Sequence, residues 1–157
     1  MLTKSNTAVF VSLPDMRIKF EEVSNSLNIL VSKKNVYAMS MHSMHKTFDF
    51  TRILRLIEKK FTGSAISIIV ETPIGVCYSL LVSPDQRILT KVRGYVRGES
   101  INQLDVIIDY EGNVCKLIEK TNIDLVDEPM FVMETEYNNN FVANGIILKG
   151  FEGPHNA

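Results

Sequence analysis

The chain has 157 residues, a net charge of −1 and 45% hydrophobic residues. Charged residues make up 22%, and together these values exclude a disordered chain, a collagen and a coiled coil. The length predicts one domain over residues 1–157, with loose tails at about residues 1–6 and 150–157. No apolar run approaches the roughly 18 to 20 residues of a membrane span, and no secretory signal opens the chain. We therefore expect no membrane partner.

The first part of the chain contains three predicted elements. Residues 7–13 are predicted to form a strand that stops at Pro14. Residues 16–27 are ambiguous, because apolar residues alternate at first, as in a strand, but also recur at helical spacing. We predict a helix there, with Asp15 as its N-cap. Residues 28–42 are predicted to form a hairpin around Lys33-Lys34-Asn35.

The clearest helical pattern follows. Its apolar stripe consists of Phe50, Ile53, Leu54, Ile57 and Phe61. Asp49 is a suitable N-cap, and Gly63 is a suitable residue to end the helix. The opposite, basic face of this predicted helix carries Arg52, Arg55 and Lys59. Such a face could contact nucleic acid, a membrane or the acidic half of a second copy, and the last of these would make a homo-oligomer.

After this segment the apolar period changes from 3.6 to 2. The predicted strands are residues 65–72, 76–82, 88–97, 104–111, 114–120, 130–137 and 141–149. Most of their connections are short, which indicates antiparallel neighbours. The predicted fold class is therefore α+β, with one principal amphipathic helix packed against a long, curled antiparallel β-meander. A partly closed barrel is the alternative.

Basic residues and a tyrosine alternate within residues 88–97, as they would on a platform for single-stranded nucleic acid. A predicted register offers a different explanation. It places Asp105 and Asp109 between two basic rows, formed by Arg93 and Arg97 on one side and by Lys116 and Lys120 on the other. Because neutralised arginines bind phosphate poorly, this ladder argues against a nucleic-acid partner.

Motifs that carry chemistry are scarce. Cys77 and Cys115 lie in apolar runs without a Cys-x-x-Cys pair, which predicts reduced core thiols and a cytoplasmic location. The methionines and histidines of residues 39–45 have poor spacing for a metal site. We therefore predict no metal site, no cofactor and no catalytic residue, with one open alternative. Glu134 and Glu136 could act as the paired carboxylates of a hydrolase.

One acidic region suggests a partner. Its five carboxylates are Asp124, Asp127, Glu128, Glu134 and Glu136, with no basic residue among them. Without a neutralising neighbour in the sequence, they could attract a basic protein. The leading hypothesis is thus a non-enzymatic protein-binding module, such as an inhibitor, an immunity-type antagonist or a chaperone. The alternative to that module, besides the hydrolase, is a small-ligand-binding protein with a cavity between the curled sheet and the helix.

Overall fold

The computed structural model describes residues 3–4, 8–12, 18–22, 37–42 and 47–151. Within these ranges, one 3-10 turn spans Gly98–Ser100 and every other regular element is a strand. The twelve strands are β1 (Thr3–Lys4), β2 (Ala8–Ser12), β3 (Ile18–Glu22), β4 (Tyr37–Met41), β5 (Phe48–Glu71), β6 (Cys77–Val82), β7 (Arg87–Thr90), β8 (Gly94–Arg97), β9 (Val106–Ile108), β10 (Val114–Thr135), β11 (Asn140–Ala143) and β12 (Ile146–Lys149).

The strands form one antiparallel sheet that closes on itself. Neighbouring strands follow the order β11, β12, β7, β9, β10, β1, β6, β5, β4, β2 and β3, while β8 pairs with β7. Two further pairings close the sheet, since β10 also pairs with β5, and β11 meets β2 where Ala143 lies opposite Val9. The result is a nearly closed antiparallel barrel. Closure protects edge strands that would otherwise expose unpaired backbone groups.

The predicted principal helix is wrong, and the predicted α+β fold class is therefore wrong as well. Residues 48–71 form the single strand β5, which pairs with β10 over most of its length. A β-bulge explains the misleading pattern. Arg55 lies opposite Glu134 but Ile53 lies opposite Thr135, so Leu54 is an extra residue without a partner. The bulge therefore puts Ile53 and Leu56 on one buried face, although their spacing of three residues is typical of a helix.

In the first part of the chain, two predicted strands are confirmed and a predicted helix is wrong. The strand at residues 7–13 is confirmed as β2, and the second strand of the predicted hairpin is confirmed as β4. The helix predicted for residues 16–27 is wrong over β3, where the alternating pattern prevailed. The rest of that segment, and residues 28–36, lie outside the described residues.

The predicted charge ladder is also wrong, because residues 88–97 are not one strand. A tight turn at Gly94, whose φ is +68°, folds β8 back onto β7 with Arg87 opposite Arg97. Arg93 therefore meets Asp105 instead of Asp109, through bonds of 2.8 and 2.7 Å. Residues 141–149 are likewise two strands, β11 and β12. They are joined at Asn144-Gly145, both with positive φ, as in the commonest two-residue hairpin turn.

The barrel interior is filled by aliphatic and aromatic side chains from nearly every strand whose side chains are described. Phe131 and Phe141 form its aromatic centre, with ring centroids 6.1 Å apart and each side chain at most 2% exposed. A smaller cluster of Met41, Leu89, Val142 and Ile147 packs beside it. No helix among the described residues is long and apolar enough to cross a membrane.

Candidate functional site

The first and last described segments meet at one edge of β10. The backbone of Thr3 pairs with Phe131, and the N–H of Phe151 donates a 2.8 Å hydrogen bond to the carbonyl of Met133. Because β5 occupies the opposite edge of β10 at these positions, Thr3 and Phe151 share the remaining edge. They sit two residues apart, which is about 7 Å along a strand. We call this place the chain-end junction.

A turn between β6 and β7 borders the junction. Its residues are Ser83-Pro84-Asp85-Gln86, and they directly follow Val82, which lies opposite Thr3. The 3-10 turn is hydrogen-bonded to this turn. The N–H of Gly98 donates to the carbonyl of Gln86, and the N–H of Glu99 donates to the carbonyl of Pro84. This support fixes the position of the turn beside β1.

Gln86 connects the turn to the end of β12. Its side chain is buried, with only 2% of the residue exposed. The Nε2 amide donates to the carbonyl of Lys149 at 2.8 Å and to the carbonyl of Arg87 at 3.1 Å. A buried amide donor that satisfies two backbone acceptors fixes both chain segments relative to each other.

Ser83 and Asp85 form a hydroxyl–carboxylate pair on the other side of the turn. The Ser83 hydroxyl donates to Asp85 Oδ1 at 2.7 Å. The Asp85 carboxylate therefore orients the Ser83 hydroxyl.

Asn139 binds the chain just after β12. Its Nδ2 donates to the carbonyl of Phe151 at 2.8 Å, and its backbone carbonyl accepts from the N–H of Gly150 at 2.8 Å. Its Oδ1 accepts from the N–H of Thr135 at 3.0 Å, which anchors the side chain to β10. The two chain segments approach so closely that a Cβ at position 150 would collide with Asn139 Oδ1. Only glycine fits there.

Arg55 covers the ring of Phe151. Its guanidinium carbon lies 4.8 Å from the ring centroid. Nε and Nη2 of Arg55 lie 2.8 and 2.7 Å from Oε2 of Glu134, whose side chain is only 6% exposed. A cation stacked on an aromatic ring and fixed by a buried carboxylate is a rigid arrangement.

These contacts correct the expectation that the acidic region lacks a neutralising partner. Glu134 is paired with Arg55, and Glu136 lies 3.7 Å from Arg52, so each carboxylate faces a different arginine. The arginines that were predicted for a helix face supply the charge from β5. Asp127 is linked to Thr62, whose hydroxyl accepts from its N–H at 3.0 Å. A partner-binding role for Asp124, Asp127, Glu128, Glu134 and Glu136 stays a prediction.

A groove opens beside the same turn. Its volume is about 510 Å³, and its lining consists of Ser64, Ile66, Pro84, Glu99, Lys120 and Asn122. Lys120 Nζ donates to the carbonyls of Glu99 and Ile101, both at 2.7 Å, and so ties β10 to the 3-10 turn. This groove lies on the barrel surface, whereas the expected ligand cavity was placed between a sheet and a helix.

No motif in the sequence points to the residues of the junction. Gln86 and Asn139 fall in polar stretches whose pattern predicts only connections between strands. The available signal was a cluster of hydrogen-bonding side chains in two turns. Residues 43–46 of the Met/His segment lie outside the described residues. Among the described ones, no group of three or more His, Cys, Asp or Glu side chains is placed to hold a metal ion.

No family model and no curated protein matches the sequence, but solved structures match nearly the whole chain. A DnaB intein from Synechocystis sp. PCC 6803 has a TM-score of 0.70 and 17% identity, over 96% of this chain and 99% of its own. An intein from a hyperthermophile has a TM-score of 0.77 and 13% identity, over 94% and 98%. A bacterial intein-like domain from Clostridium thermocellum has a TM-score of 0.68 and 11% identity, over 96% and 99%.

Identities this low show the fold alone, and that fold is all-β and intein-like. It contradicts the α+β interpretation directly. It also contradicts the interpretation as an inhibitor, immunity-type antagonist or chaperone, and both alternatives, the small-ligand-binding protein and the hydrolase, because the structural neighbours are protein-splicing domains.

Proposed function

We propose that this protein is an autoprocessing domain of the protein-splicing type. It would act on peptide bonds in the segments that adjoin Thr3 and Phe151. The likeness of its fold to inteins supports this proposal. The observation that carries it is the chain-end junction, where Thr3 and Phe151 bind the same edge of β10 two residues apart.

Proximity is the physical reason. A reaction that releases a domain from both neighbours and joins them must bring two distant positions of the chain together. Here 148 positions of sequence separate Thr3 from Phe151, yet their backbones share one strand edge. Holding two reacting segments in one place converts a bimolecular step into an intramolecular one, which supplies several kcal/mol of the barrier, up to roughly 7 to 11.

Polar groups suited to such chemistry flank both segments. Ser83 and Asp85 lie beside β1, where the Asp85 carboxylate accepts the hydrogen bond of the Ser83 hydroxyl. Gln86 and Asn139 donate amide hydrogens to carbonyls on the side of Phe151. The two sides are linked through the short turn that contains Ser83 and Gln86, so a rearrangement on one side can be coupled to the other.

A tripartite fusion tests the proposal. The chain is placed between two unrelated folded domains of different mass, purified under reducing conditions, and followed by intact-mass spectrometry. We expect release of one or both flanking domains, with a joined product if both junctions react. A fusion that stays intact for days, while circular dichroism shows a folded β-protein, would overturn the proposal.

A matched pair of serine variants locates the chemistry. Ser83→Ala removes the hydroxyl beside β1, and we expect at least a tenfold slower reaction on that side. Ser100→Ala removes an exposed hydroxyl and serves as the control. Equal rates in the two variants would remove Ser83 from the proposed site.

The cytoplasmic location belongs to the same proposal. Cys77 is exposed and Cys115 is buried, and both are free thiols. Burial and the nearby Asp109 raise the pKa of Cys115 to about 11, so it stays protonated in the core. An exposed thiol persists in a reducing compartment, which supports a cytoplasmic setting.

A further inference from the structure

We propose that Asn139 and Arg55 are positioning residues that fix Lys149–Phe151 in a clasp, and so determine where the chain beyond Phe151 enters the junction. The inference rests on the proposed function, which it deepens. The C-terminal clasp consists of Gln86, Asn139, Arg55 and Glu134.

The polar backbone groups at the end of β12 and just beyond it are hydrogen-bonded. The last strand, β12, ends at Lys149, so Gly150 and Phe151 lie beyond it. Nevertheless four of the polar backbone groups here are bonded: the Lys149 carbonyl by Gln86, the Gly150 N–H by Asn139, the Phe151 N–H by Met133, and the Phe151 carbonyl by Asn139. Chain segments that leave a sheet are ordinarily free to fray, and this one is held at each residue.

The donors of these hydrogen bonds differ from those of an ordinary strand. Two of the four come from side-chain amides, whereas a strand would receive all of them from a neighbouring backbone. Gln86 belongs to the turn after β6 and Asn139 to the turn after β10. Both are anchored again on the barrel, Gln86 through Arg87 and Asn139 through Thr135. The clasp therefore depends on side-chain identity and not only on the fold.

An aromatic contact between Arg55 and Phe151 also holds this segment. Arg55 stacks on Phe151 at 4.8 Å, and the buried carboxylate of Glu134 holds Arg55 in that position. A planar guanidinium suits both contacts at once, because it pairs with a carboxylate in its plane and stacks through its face. The Phe151 ring is thus held in place by Arg55.

Backbone hydrogen exchange tests the clasp without requiring any reaction. Asn139→Asp keeps the shape but replaces the donor to Phe151 by a carboxylate oxygen. We expect at least tenfold faster exchange of the Gly150 and Phe151 amides by NMR, with amides of the barrel core unchanged. The exposed Asn122→Asp makes the same chemical change on β10, away from the clasp, and should leave both amides protected.

The arginine contact has its own variant. Arg55→Lys keeps the charge beside Glu134 but loses the planar stack, so we expect faster exchange at Phe151 and a shifted signal for the Phe151 ring. Unchanged exchange at residues 150 and 151 in both Asn139→Asp and Arg55→Lys would overturn the clasp. So would acceleration spread evenly over the barrel, because that reports lost stability and not lost positioning.

The fusion then separates the two proposals. If the wild-type fusion reacts, Asn139→Asp should slow the step on the Phe151 side at least tenfold while the step on the Thr3 side continues. If the wild-type fusion does not react, the proposed function fails, and the exchange experiment still decides the clasp. A reacting fusion in which Asn139→Asp proceeds at the wild-type rate on both sides would refute the positioning role.

Discussion

The chain-end junction and the middle of the β5–β10 pair use the same two strands in opposite ways. At the junction, β5 and β10 contribute Arg55 and Glu134 to a bonded, largely buried cluster. Between residues 57–64 and 118–129, which we call the ribbon, no side chain is buried. Val126 is 79% exposed there. Position along one ladder therefore decides whether a side chain is buried in the site or lies at the surface.

The register explains why the two regions differ. The strands pair through both regions, but a shift between Leu125 and Glu128 leaves Val126 and Asp127 without a paired residue in the ladder, although the N–H of Asp127 donates to the Thr62 hydroxyl. Asp127 has a φ of 49°, which marks a local bend of the ribbon. The ladder continues on both sides of this bend, and the interactions that define the site lie outside the ribbon.

The largest expected effect is in the barrel centre. Phe131→Ala removes a ring that is 1% exposed and packs against Phe141. We expect a loss of about 3–5 kcal/mol in the free energy of unfolding, because the cavity cannot collapse within a closed barrel. Urea denaturation followed by circular dichroism measures it. A loss below about 1 kcal/mol would show that the barrel centre is looser than its packing indicates.

Gln86→Leu tests the junction at its buried amide. The substitution leaves the carbonyls of Lys149 and Arg87 without their donor. We expect a loss of roughly 1–3 kcal/mol, together with faster amide exchange at residues 149–151. Gln103→Leu changes an exposed glutamine and is the matched control. Equal denaturation midpoints for the two variants would contradict the structural role of Gln86.

Two glutamates sharpen the comparison within a few residues of sequence. Glu134→Gln weakens a buried contact to Arg55, and we expect a loss of about 1–2 kcal/mol. Glu136→Gln affects an exposed pair with Arg52 at 3.7 Å, and we expect less than about 0.5 kcal/mol. The same chemical change in both makes the difference a direct measure of burial. Equal losses would mean that Arg55 does not bind Glu134 in solution.

Acid should weaken the contact between Arg93 and Asp105. The hydrogen bonds from Arg93 hold the pKa of Asp105 below its ordinary value. Its contribution to stability is therefore complete above that ordinary value, about 3.9, and is lost as the pH falls through the lower folded pKa. Denaturation midpoints between pH 5 and pH 2 should fall less steeply in Asp105→Asn. Glu99→Gln, which alters the exposed pair with Arg97, should keep the wild-type slope.

The smallest effect belongs to the ribbon. Val126→Ala removes two methyl groups that are already in water, and Val126 has no partner in the ladder. We expect a change within about 0.5 kcal/mol of zero, measured by the same denaturation. A loss above about 1 kcal/mol would show that the ribbon packs against something in solution, and the contrast with the junction would then disappear.

The sequence by itself indicated strand structure over much of the chain after residue 64, because period-2 alternation is a local property. The strands predicted at residues 114–120 and 130–137 are, however, parts of the single strand β10, Val114–Thr135. It also contained the Asn144-Gly145 turn signal, which the predicted single strand at residues 141–149 ignored. Local patterns were insufficient at residues 50–61, where the spacing of apolar residues fits a helix and a bulged strand equally well. Only pairing with β10, about 80 positions later at Glu134, decided between them.

The candidate site was decided by the tertiary structure alone. Thr3, Gln86, Asn139 and Phe151 are distant in sequence and carry no shared spacing that a periodicity could detect. Their meeting depends on the closure of the barrel and on the registers of β1 and β10, which are set by hydrogen bonds between remote segments. Composition and the alternation of apolar residues indicate which residues are buried. Closure of the barrel determines which of them become neighbours.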